Sequence, residues 1–332
     1  VRRGRESDGE CQPFSLPMTT FYEGKLDCQF VDSGYLKSSR VEEARKALID
    51  TMTGPMYLRD PFEPIDRVIS YSPFLGAREG RRIIGEETVT LKDYLEDRVT
   101  SEPVFYAYAN LDKHGSDYGE ESFEMQKWVV IGGLWGINLS IPVPLGAMIP
   151  KGYEGLLAAG RHLSVDHEMA SAVRMKRDMQ KCGEAAAIAA CESIRSGCPL
   201  KKVSYQAIAP ALKESGCLKT EFCGMKRAVY RDDRLNPVVE WLTDPEDILK
   251  GLYSDESGFA LLSCCRLGEK GAELLREWSR TLPKIQDICT LGLGLLNLPE
   301  ALPQLRRLAF QTELSDSKAE WLVLSALCLM RQ

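Results

Sequence analysis

The chain has no apolar run of about 18 residues or more, the length a membrane-spanning helix needs, so no membrane span is predicted. It also lacks an excess of positive charge. The formal net charge is −6, and Arg2, Arg3 and Arg5 form too short a basic cluster to neutralise phosphates, so nucleic acid is not the expected partner. The opening VRRGRES has no apolar core of a secretory signal, and Val1 is not an initiator residue, so the chain is expected to begin inside a longer gene product. Eleven cysteines are present, but Cys191, Cys264, Cys265, Cys289 and Cys328 sit in apolar helical stretches, which reads as free thiols in a reducing cytoplasm. Cys217 and Cys223 have no second Cys or His pair at zinc spacing, so no metal is expected.

What is present is ordinary for a globular protein: 44% hydrophobic and 27% charged residues over 332 positions, enough for two or three domains. From Pro13 to about Gly34, Phe, Thr and Tyr with interspersed Gly predict strands and turns. VEEARKALIDTM, capped by Ser38 or Ser39 and ending near Gly54-Pro55, carries apolar residues on one face and predicts a helix. Residues 66–89 predict strands joined by charged turns, residues 91–99 a short helix, and residues 103–112 an aromatic strand. VVIGGLWGIN (129–138) has the look of a dinucleotide-binding turn, but Ile131 stands where the first glycine is needed, and Pro142 and Pro144 forbid the helix that must follow. It reads as a glycine-rich turn between strands.

From residue 156 the pattern changes. LLAAGR predicts a short strand, HLSVDHEMASAVRMK a polar loop, and RDMQKCGEAAAIAACESIR a long Ala-rich helix closed by Gly197 and Pro199. After about residue 236 the chain is helical and repetitive. A shift of 31 places Phe259, Ala260, Leu262, Cys264, Cys265 and Leu267 on Thr290, Leu291, Leu293, Leu295, Leu296 and Leu298, and a second shift reaches Trp321 to Leu329. Breaks at Gly268 and Pro299 split each full copy into two helices, the pattern of a HEAT-like solenoid. The third copy stops after one helix, so the chain is expected to be shortened there also. The expected fold is mixed α/β of the α+β type, with a mixed sheet and then an all-helical tail. Its expected parts are a substrate-side, β-rich domain at 1–150, a strand, loop and helix unit at 151–235, and the helical repeats at 236–332.

The unit at 151–235 carries the strongest chemical signal. A glycine at position 160 lets a diphosphate or ribityl chain approach the backbone, and Arg161 can add a charge-assisted bond to an anionic oxygen. The helix that follows presents its positive end, which favours the extra charge of a reduced flavin ring, and Gly183, Ala185, Ala186 and Ala187 allow a flat group to lie close. The plainer alternative is that the alanines only pack on a sheet.

Five blocks lie in a telling order: GAREGRRIIGEETVTLKD (76–93), LDKH (111–114), IPVPLGAMIP (141–150), LLAAGRHLSVDHEMASAVRM (156–175) and KCGEAAAIAA (181–190). Over roughly residues 10–220 the chain resembles the FAD-dependent oxidoreductases with a glutathione-reductase-like FAD fold. In that family similar stretches read as an RExRRI-G block, a D-x-H, a proline turn, an AGR-x-LS strand and a G-x-AA helix. The resemblance implies that Gly160, Arg161 and Ser164 lie against the FAD diphosphate and ribityl chain, with Gly183 and Ala186 on the helix facing the ring. Arg174 matches a recurrent loop arginine. Arg78, Arg81 and His114 fall on the substrate side, where His114 is a candidate proton carrier. The helix departs from the family pattern: GEAAA lacks the usual Gln after the Gly and the second Gly after the alanines. The G-x-G-x-x-G fingerprint and the ribose-binding acid, which lie N-terminal to these blocks in the family, are absent.

Two functions follow as expectations. One is the C-terminal portion of a flavoenzyme that moves a hydride or electron pair between a small organic substrate and FAD, inactive alone and weak in FAD binding. The other is an interaction module whose helical tail holds a protein partner.

Overall fold

The computed structural model describes residues 12–22, 25–36, 40–42, 45–46, 49, 67–71, 76–77, 79–112, 122–134, 138–219 and 241–311. The chain divides into two compact units, Val1–Glu120 with Leu139–Met225, and Glu121–Asn138 with Lys226–Gln332.

In the first unit β1 (Gln12–Tyr22) pairs antiparallel with β2 (Lys25–Leu36) on one side. On the other it pairs with β3 (Arg67–Tyr71) and β4 (Gly76–Ala77). The helical residues at 41–42, 45–46 and 49 fall inside the helix expected from VEEARKALIDTM. Helix α1 (Leu91–Leu95) starts at Thr90, whose hydroxyl accepts the Asp93 amide at 3.0 Å and donates to the Asp93 carboxylate at 2.7 Å. That exchange supports a helix too short to stand on propensity alone.

A second sheet pairs β5 (Pro103–Ala109) with β6 (Leu139–Pro144), Ala107 opposite Ile141. Proline has no amide to donate, and Pro142 and Pro144 are tolerated because β6 pairs, among the described residues, with β5 alone. Helices α3 (His167–Val173), α4 (Lys176–Ser196) and α5 (Tyr205–Glu214) pack on β5. The flat side of α4 is Cys182, Ala185, Ala186 and Ala189, all buried, so the alanines do pack on a sheet as the plainer alternative had it. The other edge of β5 is closed by side chains. Lys181 Nζ donates to the Tyr106 carbonyl (3.0 Å), Arg177 donates to the Tyr108 carbonyl, and the Tyr108 amide donates to Asp178 Oδ2 (3.3 Å). Buried backbone groups need partners, and here the first turns of α4 provide them.

Three local expectations differ from what is observed. LLAAGR joins no ladder among the described residues. Its backbone ties are the Ala158 amide to the Met148 carbonyl (2.7 Å) and the Leu163 amide to the Gly160 carbonyl (3.2 Å), and Leu156 is 51% exposed. HLSVDHEMASAVRMK is not all loop, because Asp166 caps α3 by accepting the Met169 amide at 2.7 Å. The ladders among the described residues are antiparallel rather than mixed, and the parallel contact is a single bridge, Val89 to Val165.

In the second unit α2 (Phe123–Gln126), capped by Ser122, runs directly into a π-helical turn at Lys127–Ile131. The glycine-rich turn between strands expected at 129–138 is therefore helical at its start. The Ser122 cap and burial of Trp128 and Ile131 outweigh the strand preference of the Val129-Val130 pair. Trp128 meets Trp241 edge-on, and Trp241 stacks on Phe259 at 5.1 Å between ring centres. Five helices follow: α6 (Pro245–Leu252), α7 (Ser257–Arg266), α8 (Glu269–Thr281), α9 (Gln286–Leu295) and α10 (Leu302–Gln311). The 31-residue shift is matched in burial at five of its six pairs. Phe259, Ala260 and Leu262 are buried, as are their counterparts Thr290, Leu291 and Leu293, while Cys265 and Leu267 are half-buried like Leu296 and Leu298; Cys264 is buried where Leu295 is half-buried. The third copy, Trp321 to Leu329, lies outside the described residues. Among the described residues no helix is long and apolar enough to cross a membrane.

Candidate cofactor site

The site grows from three segments far apart in sequence. The backbone of residues 83–91 runs along the proline turn and the AGR loop: the Ile83 amide donates to the His162 carbonyl (2.9 Å), Glu86 to Ile149 (2.9 Å), and Val89 to Ser164 (3.1 Å). The Asp166 amide returns to the Val89 carbonyl at 2.9 Å, and the Asp166 carboxylate accepts the Leu91 amide at 2.7 Å. Asp166 thus caps α3 and α1 together. All three segments meet at Gly85, where an added Cβ would lie 2.7 Å from the Gly146 carbonyl oxygen and 2.7 Å from Ser164 Cβ. Only a residue without a side chain fits there. Gly85→Ala is expected to cost about 1–3 kcal/mol, the usual range for overpacking; urea unfolding with an unchanged midpoint would contradict that contact.

Charge is buried around this junction. His167 Nδ1 lies 2.6 Å from Glu79 Oε2, both side chains almost fully buried, and Arg82 pairs with the same Glu79. Burial pushes the His167 pKa down to about 4, with Glu168 opposing and Arg174 adding to the shift. Burial also lowers Arg82, against the pull of Asp166 and Glu168. Arg174, 10% exposed, donates to the Asp112 carbonyl at 2.7 Å and so ties the loop after α3 to the LDKH block. Ser164 is buried, its hydroxyl 2.8 Å from that of Thr88.

Gly160 has φ +149, a backbone setting that L side chains rarely adopt, and a Cβ there would lie 3.1 Å from the His162 ring. Its amide faces the Cys182 thiol on α4, which burial raises to about 11. Gly183 is the next residue, exposed, and a Cβ on it would meet nothing within 4 Å. The turn with Gly160, Arg161 and His162 is therefore held over the part of α4 where the backbone is open. Arg161 and His162 are exposed there. Helix α4 begins at Met175 with no side-chain cap. Asp178 in its first turn is fully buried, and burial raises its pKa to about 6, against Arg177, the Tyr108 amide and Lys181.

The structure sets the Gly160 backbone against Cys182, the residue before Gly183, and puts Ala186 one turn on, on the buried side of α4. Ser164 and Arg174 serve the junction beneath. Arg81 is exposed on the 79–91 segment, while Arg78 and His114 lie outside the described residues. Glu79, Asp166 and Asp178 were not singled out from sequence. An Asp directly before HEMASAV carries a capping signal that points to Asp166; nothing local marks Glu79, whose partner is 88 residues away.

A glycine turn set against Cys182, open helix backbone at the next residue, Gly183, an exposed guanidinium at Arg161 and a helix start without a side-chain cap suit a flat, anionic cofactor. The sequence model of the family described as FAD dependent oxidoreductase matches residues 5–212. That is more than half of the chain, and the chain belongs to this family. No curated protein and no solved structure matches it.

Proposed function

We propose that this chain is the flavin-facing, C-terminal portion of an oxidoreductase with a glutathione-reductase-like FAD fold, acting on a small organic substrate. The observation that carries the reading is the seating of Gly160 over Cys182 beside the unobstructed Gly183. Gly160, Arg161 and the loop held by Ser164 would hold the diphosphate and ribityl chain, and α4 from its start through Gly183 and Ala186 would face the ring. When bound, FAD supplies the redox chemistry by taking up or returning a hydride equivalent. The protein's own part is to orient and to exclude water. Arg174 keeps Asp112 near the loop; Arg78, Arg81 and His114 would meet the substrate. The G-x-G-x-x-G grip would come from residues N-terminal to these, so this chain alone would bind FAD weakly.

The same reading assigns 1–150 to the substrate side, 151–235 to the flavin side and 236–332 to a HEAT-like array, in a cytoplasmic protein. A second reading, a docking module for a protein partner, is favoured by the matched burial of the 31-residue copies. Visible absorbance decides between them. The longer gene product, purified without added cofactor, is expected to carry stoichiometric flavin; a colourless, folded product favours the docking module.

A further inference from the structure

Between the proline turn and the AGR turn the chain makes an excursion that stands clear of the first unit. It leaves at Pro150, whose carbonyl accepts the Tyr153 amide at 3.2 Å, and is back by Ala158, whose amide donates to the Met148 carbonyl at 2.7 Å. Every residue from Lys151 to Leu156 is exposed. Gly152 (φ +81) and Gly155 (φ +68) make its left-handed bends, and a Cβ added at either would meet nothing within 4 Å. A projecting loop of this kind is ordinarily polar, yet this one carries Tyr153, 67% exposed, and Leu156, 51% exposed. Ile84, 79% exposed, is fixed beside it, because the Ile84 carbonyl accepts the Lys151 amide at 2.8 Å. Three of the seven large apolar side chains exposed among the described residues thus stand at one place, and it is grouping, not exposure of single residues, that marks an interface. The same loop carries both signs of charge. Lys151 and Glu154 lie on either side of Tyr153, both exposed, and among the described residues neither side chain has an ion pair or hydrogen bond.

We propose that this loop is the centre of a two-fold contact between two copies of the chain. Tyr153, Leu156 and Ile84 of one copy pack on the same three residues of the other, and Lys151 of each copy faces Glu154 of the other. A two-fold contact uses one patch twice, so the patch must complement itself, and opposite charges beside an apolar centre do so. Here that order is complete within the four residues from Lys151 to Glu154. A lipid surface is the poorer match, since an anionic membrane attracts cations around an apolar tip and Glu154 opposes it. Three apolar side chains from each copy make a small interface, which sets the contact in the weak, transient class. The inference does not depend on flavin binding.

Sedimentation equilibrium of the full chain at low ionic strength tests it. The chain is expected to be half-dimeric at about 100 µM or below. Leu156→Ser and, separately, Tyr153→Ser are expected to weaken association at least about ten-fold at an unchanged melting temperature. Ile194→Ser, which removes an apolar side chain just as exposed but on α4, should associate as the parent does. Charge exchange is the sharper arm. Lys151→Glu and Glu154→Lys each set like charges face to face and should weaken the dimer about ten-fold or more, whereas the two together should restore it to within about three-fold, the pairing being regained with its signs reversed. A chain still monomeric at about 1 mM, growth beyond the dimer, single variants without effect, a double exchange no better than the singles, or an equal loss in Ile194→Ser each overturns the contact. A monomeric chain that floats with vesicles of anionic phospholipid overturns it too, and assigns the loop to a lipid surface.

Discussion

Asp178→Asn is expected to make this protein lose more stability in acid than the parent does. His167 and Asp178 are both buried in the first unit, and burial acts on them in opposite senses. The His167 pKa is depressed from 6.5 to about 4, so as pH falls through that window the unfolded chain takes up a proton that the folded chain refuses, and stability is lost. The Asp178 pKa is raised from 3.8 to about 6, so in nearly the same window the folded chain holds a proton that the unfolded chain has given up, and stability is lost as pH rises. The Asp178 effect amounts to about 3 kcal/mol at roughly 1.4 kcal/mol per pKa unit, and over the same window His167 acts in the opposite sense. Asparagine keeps an acceptor for the Tyr108 amide and removes the titration. Urea unfolding across pH 4–7 should then show Asp178→Asn losing about 3 kcal/mol relative to the parent on going from neutral to acid. His167→Gln, which can still donate to Glu79, should show the reverse tilt. A variant-minus-parent difference that is flat with pH contradicts the burial of these two groups.

The second large effect separates approach from folding at the candidate cofactor site. Gly160→Val should abolish flavin retention in the proposed longer protein, but φ +149 and the nearby His162 ring mean that it also strains the loop. Gly183 is free of that ambiguity, since nothing lies within 4 Å of a Cβ there. Gly183→Ala should raise stability by up to about 1 kcal/mol, the helix-propensity gain over glycine. Gly183→Phe should fold as well as Gly183→Ala yet reduce flavin affinity more than about ten-fold, because the ring would fill the space the cofactor needs. Arg161→Ala should weaken FAD binding roughly 10- to 150-fold with helicity unchanged, the equivalent of losing one charge-assisted contact of about 1.5–3 kcal/mol. Bound flavin by absorbance, with melting curves as the control, reads all of these. Full retention by Gly183→Phe would remove α4 from the cofactor.

Much of this was legible from the residues because the signals are local. The Ala-rich helix with Gly197 beyond it, the aromatic strand at 103–109 and the helix pairs broken at Gly268 and Pro299 each follow from patterns within a dozen residues. What the sequence hid is non-local. LLAAGR has a strand's composition, but a strand exists only if a neighbour offers a ladder, and none does among the described residues. The Val129-Val130 pair looks like a strand until the Ser122 cap and the buried Trp128 are seen to hold a helix. The site was legible in its glycines and not in its electrostatics. Gly160 and Gly183 stand out by residue type, whereas the Glu79–His167 pair joins positions 88 residues apart, and the Asp178 carboxylate is remarkable only once Tyr108 is known to lie above it.

The most direct measurement is an amide-resolved NMR titration of this chain with FAD. The account expects weak binding, with a dissociation constant of about 10 µM or higher, and shift changes concentrated at residues 158–164 and 176–187. Changes confined to the helices of 245–311, or none at all, would contradict the assignment of the AGR turn and α4 to the flavin.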